Sequence, residues 1–177
     1  MNLMSATRHP RNDLPYGSDA SKRSPTEWLC PQDIAIDVDV PDRRRVLETA
    51  AELIGRANGL DSAPIFRALW RREQVGSTAL GHGVAIPHAR ISGITRPLTL
   101  FMRSRLAMEF GAPDGRLVSN FLFIMVPADG ETESHLQLLA SVAAAFSDRA
   151  FRERLAAATT TAEVAATFAE WAEQRRD

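Results

Sequence analysis

Apolar residues recur along the chain with two periods, and the switches between them mark out the elements. Asp33-Ile34-Ala35-Ile36-Asp37 alternates with period two and predicts a short strand. Val46, Leu47, Ala50, Leu53, Ile54 and Ala57 then recur at helical spacing, and Gly59 sits where such a helix stops. A second helix follows Ser62, with Pro64 near its first turn and Ile65, Phe66, Leu69 and Trp70 on one face, and Gly76 closes it. Three segments of strand character come next: Val84 to Ile86, Leu98 to Met102, and Leu117 to Val126. The last has no polar residue after Asn120, as expected of a strand covered on both faces.

The final third is helical. Ser134 and Gln137 have capping-box spacing ahead of a stripe formed by Leu136, Leu139, Val142, Ala143 and Phe146. A short helix around Phe151 and Leu155 leads to a second capping box, Thr160 with Glu163, heading a helix that carries Val164, Phe168 and Trp171. Strands in the first two-thirds mixed with helices predict one α/β domain, a sheet with helices packed on it. Residues 1–27 do not fit this scheme. They are rich in Ser, Pro, Asn, Asp and Arg without a sustained period, the composition of a disordered tail, so the domain is expected over 28–177 and His9 is assigned no role.

Composition narrows the function. The chain has 21 Lys+Arg against 22 Asp+Glu, so no general field draws nucleic acid or an acidic membrane surface, and any phosphate site must be local. The N-terminus lacks the apolar run of about 7 to 15 residues that a signal peptide needs. Phe121 to Val126, the longest plainly apolar run, is too short to cross a bilayer, which predicts a soluble, cytoplasmic protein without direct membrane insertion. The one cysteine, Cys30, has no partner for an intramolecular disulfide and reads as a small packing residue before Pro31.

The chemistry concentrates between Arg71 and Arg90, where three glycines, two hydroxyls and two histidines fall within twenty positions. Gly76 and Gly81 have P-loop spacing, but His82-Gly83 replaces the Lys-Ser/Thr pair, and Ile86 stands where a dinucleotide fingerprint needs its third glycine. His82, His88 and His135 would supply three imidazoles to zinc, yet no His-x-x-x-His pair or recognised carboxylate spacing accompanies them. Phosphoryl chemistry accounts for more of the residues. A neutral imidazole nitrogen is a competent nucleophile, Arg72 has the planar fork suited to phosphate, and Ser77, Thr78 and loop amides are uncharged donors, with Arg90 a weaker candidate. His88 follows one predicted strand and His135 another, in the first turn of a predicted helix, so both are expected to reach one site at the strand ends.

The segment Arg72-Glu73-x-x-Gly76-Ser77-Thr78-x-x-Gly81-x-Gly83-Val84-Ala85-Ile86-Pro87-His88 resembles the signature of the enzyme IIA proteins of the bacterial phosphoenolpyruvate-dependent phosphotransferase system, mannitol/fructose class. The resemblance continues through Leu29-Cys30-Pro31, Asp114-Gly115-x-x-Val118 and His135-Leu136-x-Leu138-Leu139, covering about residues 28 to 173. It implies a single-domain mixed β-sheet flanked by helices, His88 as the phosphorylated residue, Arg72 in the phosphate pocket and His135 as the second active-site histidine. The implied donor is a phosphohistidine on a small phosphocarrier protein; no metal or nucleotide cofactor is implied.

Two departures stand out. Where the family usually has Gly-Ile-Gly-Asn-Gly, this chain has Ala79-Leu80-Gly81-His82-Gly83, and Arg43-Arg44-Arg45 replaces a lysine common near the start of the first helix. A free-standing domain resembles the nitrogen-regulatory branch, whose acceptors are regulatory target proteins, more than the sugar branch, whose acceptor is a sugar-specific enzyme IIB. A sugar-specific component, a regulatory module on the same fold that is no longer phosphorylated, and a three-histidine metal hydrolase are the competing expectations.

Overall fold

The computed structural model describes residues 29–130 and 132–174. The expected tail and His9 lie outside them. A 3-10 turn, Pro31–Asp33, leads into β1 (Ile34–Val38), followed by α1 (Arg43–Asn58) and α2 (Ser62–Val75). Then come β2 (Ala79–Gly81), β3 (Val84–Ala85), β4 (His88–Ile91), β5 (Leu98–Met108) and β6 (Val118–Pro127), and the chain ends in α3 (Thr132–Ser147), α4 (Arg149–Ala157) and α5 (Thr161–Glu173).

Side-chain caps set most helix starts. The carboxylates of Asp42, Asp61 and Asp148 accept from the amides of Arg45, Ala63 and Phe151, satisfying donors that the first turn leaves free. The Thr160–Glu163 capping box forms as the sequence predicts, and α1 ends on Gly59 at φ 67°, a left-handed conformation that suits glycine. The Ser134–Gln137 spacing does not mark the start of α3, which begins at Thr132 and so has Ser134 within its first turn. The Ser-x-x-Gln spacing occurs wherever a helix carries those residues, and it marks a start only if the preceding backbone leaves helical geometry.

The sheet is mixed, in the order β1-β5-β6-β3-β2, with β4 also pairing β6. β1 runs parallel to β5, β5 antiparallel to β6, and β6 parallel to both β3 and β4. β3 and β4 lie along one side of β6, Ala85 opposite Phe121 and His88 opposite Ile124. Pro87 separates them. It has no N–H to give the ladder, but its carbonyl still accepts from Ile124 N at 3.0 Å. β2 and β4 are short strands that the apolar pattern does not mark out on its own: Ala79-Leu80-Gly81 has three residues, and the alternation of His88-Ala89-Arg90-Ile91 runs for only four.

β6 is the axis of the core. Every side chain from Phe121 to Met125 is buried, and alternation sorts them between two layers. Phe121, Phe123 and Met125 pack with Val46, Leu47, Ile54, Ile65 and Leu69 of α1 and α2. Leu122, Ile124 and Val126 pack with Val142, Phe146, Phe151 and Phe168 of α3, α4 and α5. This is the two-faced cover that the apolar run predicted.

Candidate functional site

His88 opens β4 beside the C-terminal half of β6, and two neighbours agree on where its ring proton sits. Nδ1 lies 2.8 Å from the Ile86 carbonyl oxygen, which can only accept, so Nδ1 carries the hydrogen. That leaves a lone pair on Nε2, and Arg72 Nε–H donates to it at 3.2 Å. Arg72 is held in turn by its Nη1, which donates to the Gly76 carbonyl at 2.9 Å, so the arginine bridges the end of α2 and the imidazole.

His135 arrives from the other helical layer, in the first turn of α3, with its ring centroid 5.6 Å from that of His88 and the planes at 53°. Its Nδ1 is buried and makes no hydrogen bond among the described residues. Burial, more than any neighbour, pushes the His88 imidazole below its ordinary value of 6.5; Arg72 acts in the same direction, while the Ile86 hydrogen bond opposes it. His135 is also held below 6.5, first by burial and then by the charges of His88, Arg90 and Arg72.

The two hydroxyls of the glycine-rich segment, one on the exposed Ser77 and one on the buried Thr78, both bond to protein oxygens. Ser77 Oγ donates to the Phe110 carbonyl, and Thr78, itself buried, donates its hydroxyl to Glu73 Oε2 at 2.6 Å. A hydroxyl has one hydrogen to give, and in this arrangement both are given to protein acceptors. Residue type showed that donors were present, but not where they were already committed. Arg90 likewise turns to backbone: its Nη1 donates to Gly130 O at 2.7 Å and Ala128 O at 3.3 Å, fastening the connection that delivers His135.

Of the departures, Ala79 opens β2, Arg43-Arg44-Arg45 opens α1, and His82 falls in the tight turn between β2 and β3. Gly81, His82 and Gly83 all have positive φ, at 94°, 55° and 77°, and the exposed His82 donates its amide to Asp114 Oδ2 at 2.7 Å. Histidine tolerates this left-handed position better than most residues do, so the turn survives the change from asparagine. Gly81 has no such latitude, since a Cβ there would meet Asp114 Oδ2 at 3.0 Å. Among the described residues no three His, Cys, Asp or Glu side chains are grouped to hold a metal ion, so His82, His88 and His135 do not form a ligand set.

A mixed sheet clothed on both faces, with a paired histidine and arginine beside its central strand, is the frame on which the comparisons bear. The chain matches the family described as "Phosphoenolpyruvate-dependent sugar phosphotransferase system, EIIA 2" over residues 27–171, and it belongs to that family. It is 37% identical to the nitrogen regulatory protein of Pseudomonas aeruginosa over 133 residues, 75% of this chain and 86% of that one. It is 34% identical to the fructose-specific EIIA component of Haloferax volcanii over 116 residues, 66% of this chain and 73% of that one. The crystal structure of nitrogen regulatory protein IIA-Ntr from Neisseria meningitidis superposes with a TM-score of 0.75 at 38% identity, covering 81% of this chain and 97% of that one. No helix among the described residues is long and apolar enough to cross a membrane.

Proposed function

We propose that the protein is a phosphoryl carrier that accepts a phosphoryl group on Nε2 of His88 from a phosphohistidine of a small phosphocarrier protein. One observation carries this reading: the Ile86 carbonyl holds the proton on Nδ1, so the nitrogen facing the Arg72 guanidinium is the one with the free lone pair. In the transfer, the nitrogen–phosphorus bond of the donor breaks as the new bond forms at Nε2. No proton need leave His88 in that step. Arg72 exchanges its hydrogen bond to Nε2 for one to a phosphoryl oxygen, and His135 is close enough to meet another. Val75, three residues beyond Arg72, is 84% exposed and Leu136, next to His135, is 59% exposed, which gives a protein partner apolar contacts beside the site.

Similarity to nitrogen regulatory proteins favours a cytoplasmic switch whose phosphorylation state governs which regulatory proteins it binds. The likeness to a fructose-specific EIIA component supports the second reading, delivery of the group to a sugar-specific enzyme IIB. The protein, incubated with phosphoenolpyruvate, enzyme I and either a nitrogen-branch or a sugar-branch phosphocarrier, is expected to gain an acid-labile phosphoryl adduct that His88→Ala lacks. The carrier that reacts faster separates the two branches, and the absence of an adduct from both would count against the carrier function.

A pH profile follows from the imidazole environment. Because His88 and His135 are both held below 6.5, mainly by burial, the neutral nucleophile persists as pH falls through 6.5 and is lost only in more acid solution. Acceptance rates are therefore expected to be flat from neutrality to below pH 6.5 and then to fall. An inflection above 6.5, measured with an excess of phosphorylated donor, would contradict this.

A further inference from the structure

Glu73 follows Arg72 on α2, and residues one apart on a helix point about 100° apart, so while Arg72 reaches the imidazole its neighbour turns into the protein. The Glu73 side chain is wholly buried, on the stripe that Ile65 and Leu69 begin. A carboxylate there needs charge and donors, and it has both. Arg43, from the first turn of α1, forms an ion pair with Oε1, its guanidinium carbon 4.9 Å from the centre of the Phe110 ring. Thr78 supplies the rest, its amide donating to Oε1 at 3.2 Å and its hydroxyl to Oε2 at 2.6 Å.

The chain of contacts continues beyond Thr78. Its carbonyl accepts from the amide of Ile86 at 3.0 Å, and the carbonyl of that same Ile86 accepts the Nδ1 proton of His88 at 2.8 Å. The buried carboxylate is thereby connected to the imidazole through the backbones of two residues. Consecutive positions of α2 thus address the two ring nitrogens separately, Arg72 meeting Nε2 directly and Glu73 reaching Nδ1 through Thr78 and Ile86.

We infer that Glu73, neutralised by Arg43, is a positioning residue that holds the Ile86 carbonyl against Nδ1–H of His88 and so keeps the nucleophilic lone pair on Nε2. This role rests on the phosphoryl-carrier reading for its purpose, but not for its physics. A carboxylate that merely fastened the 76–79 loop to α2 would stabilise the fold without touching the ring proton. The positioning role predicts a local change at His88 when the link is cut.

The experiment is nuclear magnetic resonance of the imidazole in the full-length, unphosphorylated protein, with no donor present. Thr78→Val removes the hydroxyl while preserving shape and the backbone amide, and Thr78→Ser restores a hydroxyl. In Thr78→Val the His88 Nδ1 proton is expected to exchange with solvent about tenfold faster, the factor that corresponds to losing one ordinary hydrogen bond, with a rise in the Nε2–H tautomer. Thr78→Ser should return both toward the parent values. Glu73→Gln should move them in the same direction as Thr78→Val, and if that variant fails to fold, the Thr78 pair decides alone. A folded Thr78→Val with the parent exchange rate and tautomer would overturn the inference even if His88 is phosphorylated normally. Equally, a protein that took no phosphoryl group could still show the predicted imidazole response.

Discussion

Arg72→Met is expected to slow phosphoryl transfer to His88 by about 10²- to 10³-fold, the usual loss when one preorganised donor to developing oxyanion charge is removed. Two effects of this change oppose each other. In the resting protein Arg72 Nε–H caps the Nε2 lone pair, so its removal frees the nucleophile from one hydrogen bond worth about 1 kcal/mol net. During transfer the same guanidinium would face the phosphoryl oxygens, and a donor there is worth about 3–4 kcal/mol in the transition state. The second effect wins, so the variant is slower rather than faster. Methionine keeps the length and helix propensity of the side chain, which confines the change to the missing fork. Arg72→Lys should recover part of the rate, since it returns charge but not planar geometry. Single-turnover transfer from a phosphorylated carrier measures this, and a rate within threefold of the parent would remove Arg72 from the transfer step.

The largest expected loss of stability lies in the other helical layer, that of α3, α4 and α5. Phe151 is fully buried in α4, with ring centroids of Phe146 at 5.4 Å, Phe168 at 5.2 Å and Trp171 at 6.0 Å, all in edge-on arrangements. From α4 it touches rings of both α3 and α5. Phe151→Ala is expected to lower the unfolding free energy by about 3–5 kcal/mol, combining lost burial with the cavity left among aromatic neighbours that cannot bend into it. Against a typical domain stability of about 5–15 kcal/mol, that is a large fraction. Urea unfolding would measure it, and a loss below about 1 kcal/mol would mean that α4 and α5 close over the gap.

The helices were largely legible from the sequence because their signals are local. Apolar stripes at 46–57 and 136–146 and the Thr160–Glu163 box correspond to α1, α3 and α5 with little shift of boundary, but Leu136, expected on the buried stripe, is exposed and Leu138 is buried instead. β2 and β4 were not: Ala79-Leu80-Gly81 is too short to show a period, and His88-Ala89-Arg90-Ile91, which does alternate, runs for only four residues after Pro87 and is completed by pairing with β6. The residue types of the site were legible too, and the structure gathers His88, Arg72 and His135. The direction of each hydrogen bond was not: residue type shows the Ser77 and Thr78 hydroxyls but not the acceptors that hold them here. Glu73 did leave a trace: it lies four residues beyond Leu69 and eight beyond Ile65, a carboxylate on an otherwise apolar stripe. Such a placement asks for buried partners, and here they come from Arg43, thirty residues upstream, and Thr78.

Because β6 is covered on both sides, the groups gathered at the proposed nucleophile come from separate coats of the sheet: Arg72 from one, His135 from the other, with His88 on a strand beside β6. On the carrier reading, a nascent or damaged chain wearing only one of those coats would lack part of the transfer machinery. Competence to react would then certify that both halves of the molecule had closed.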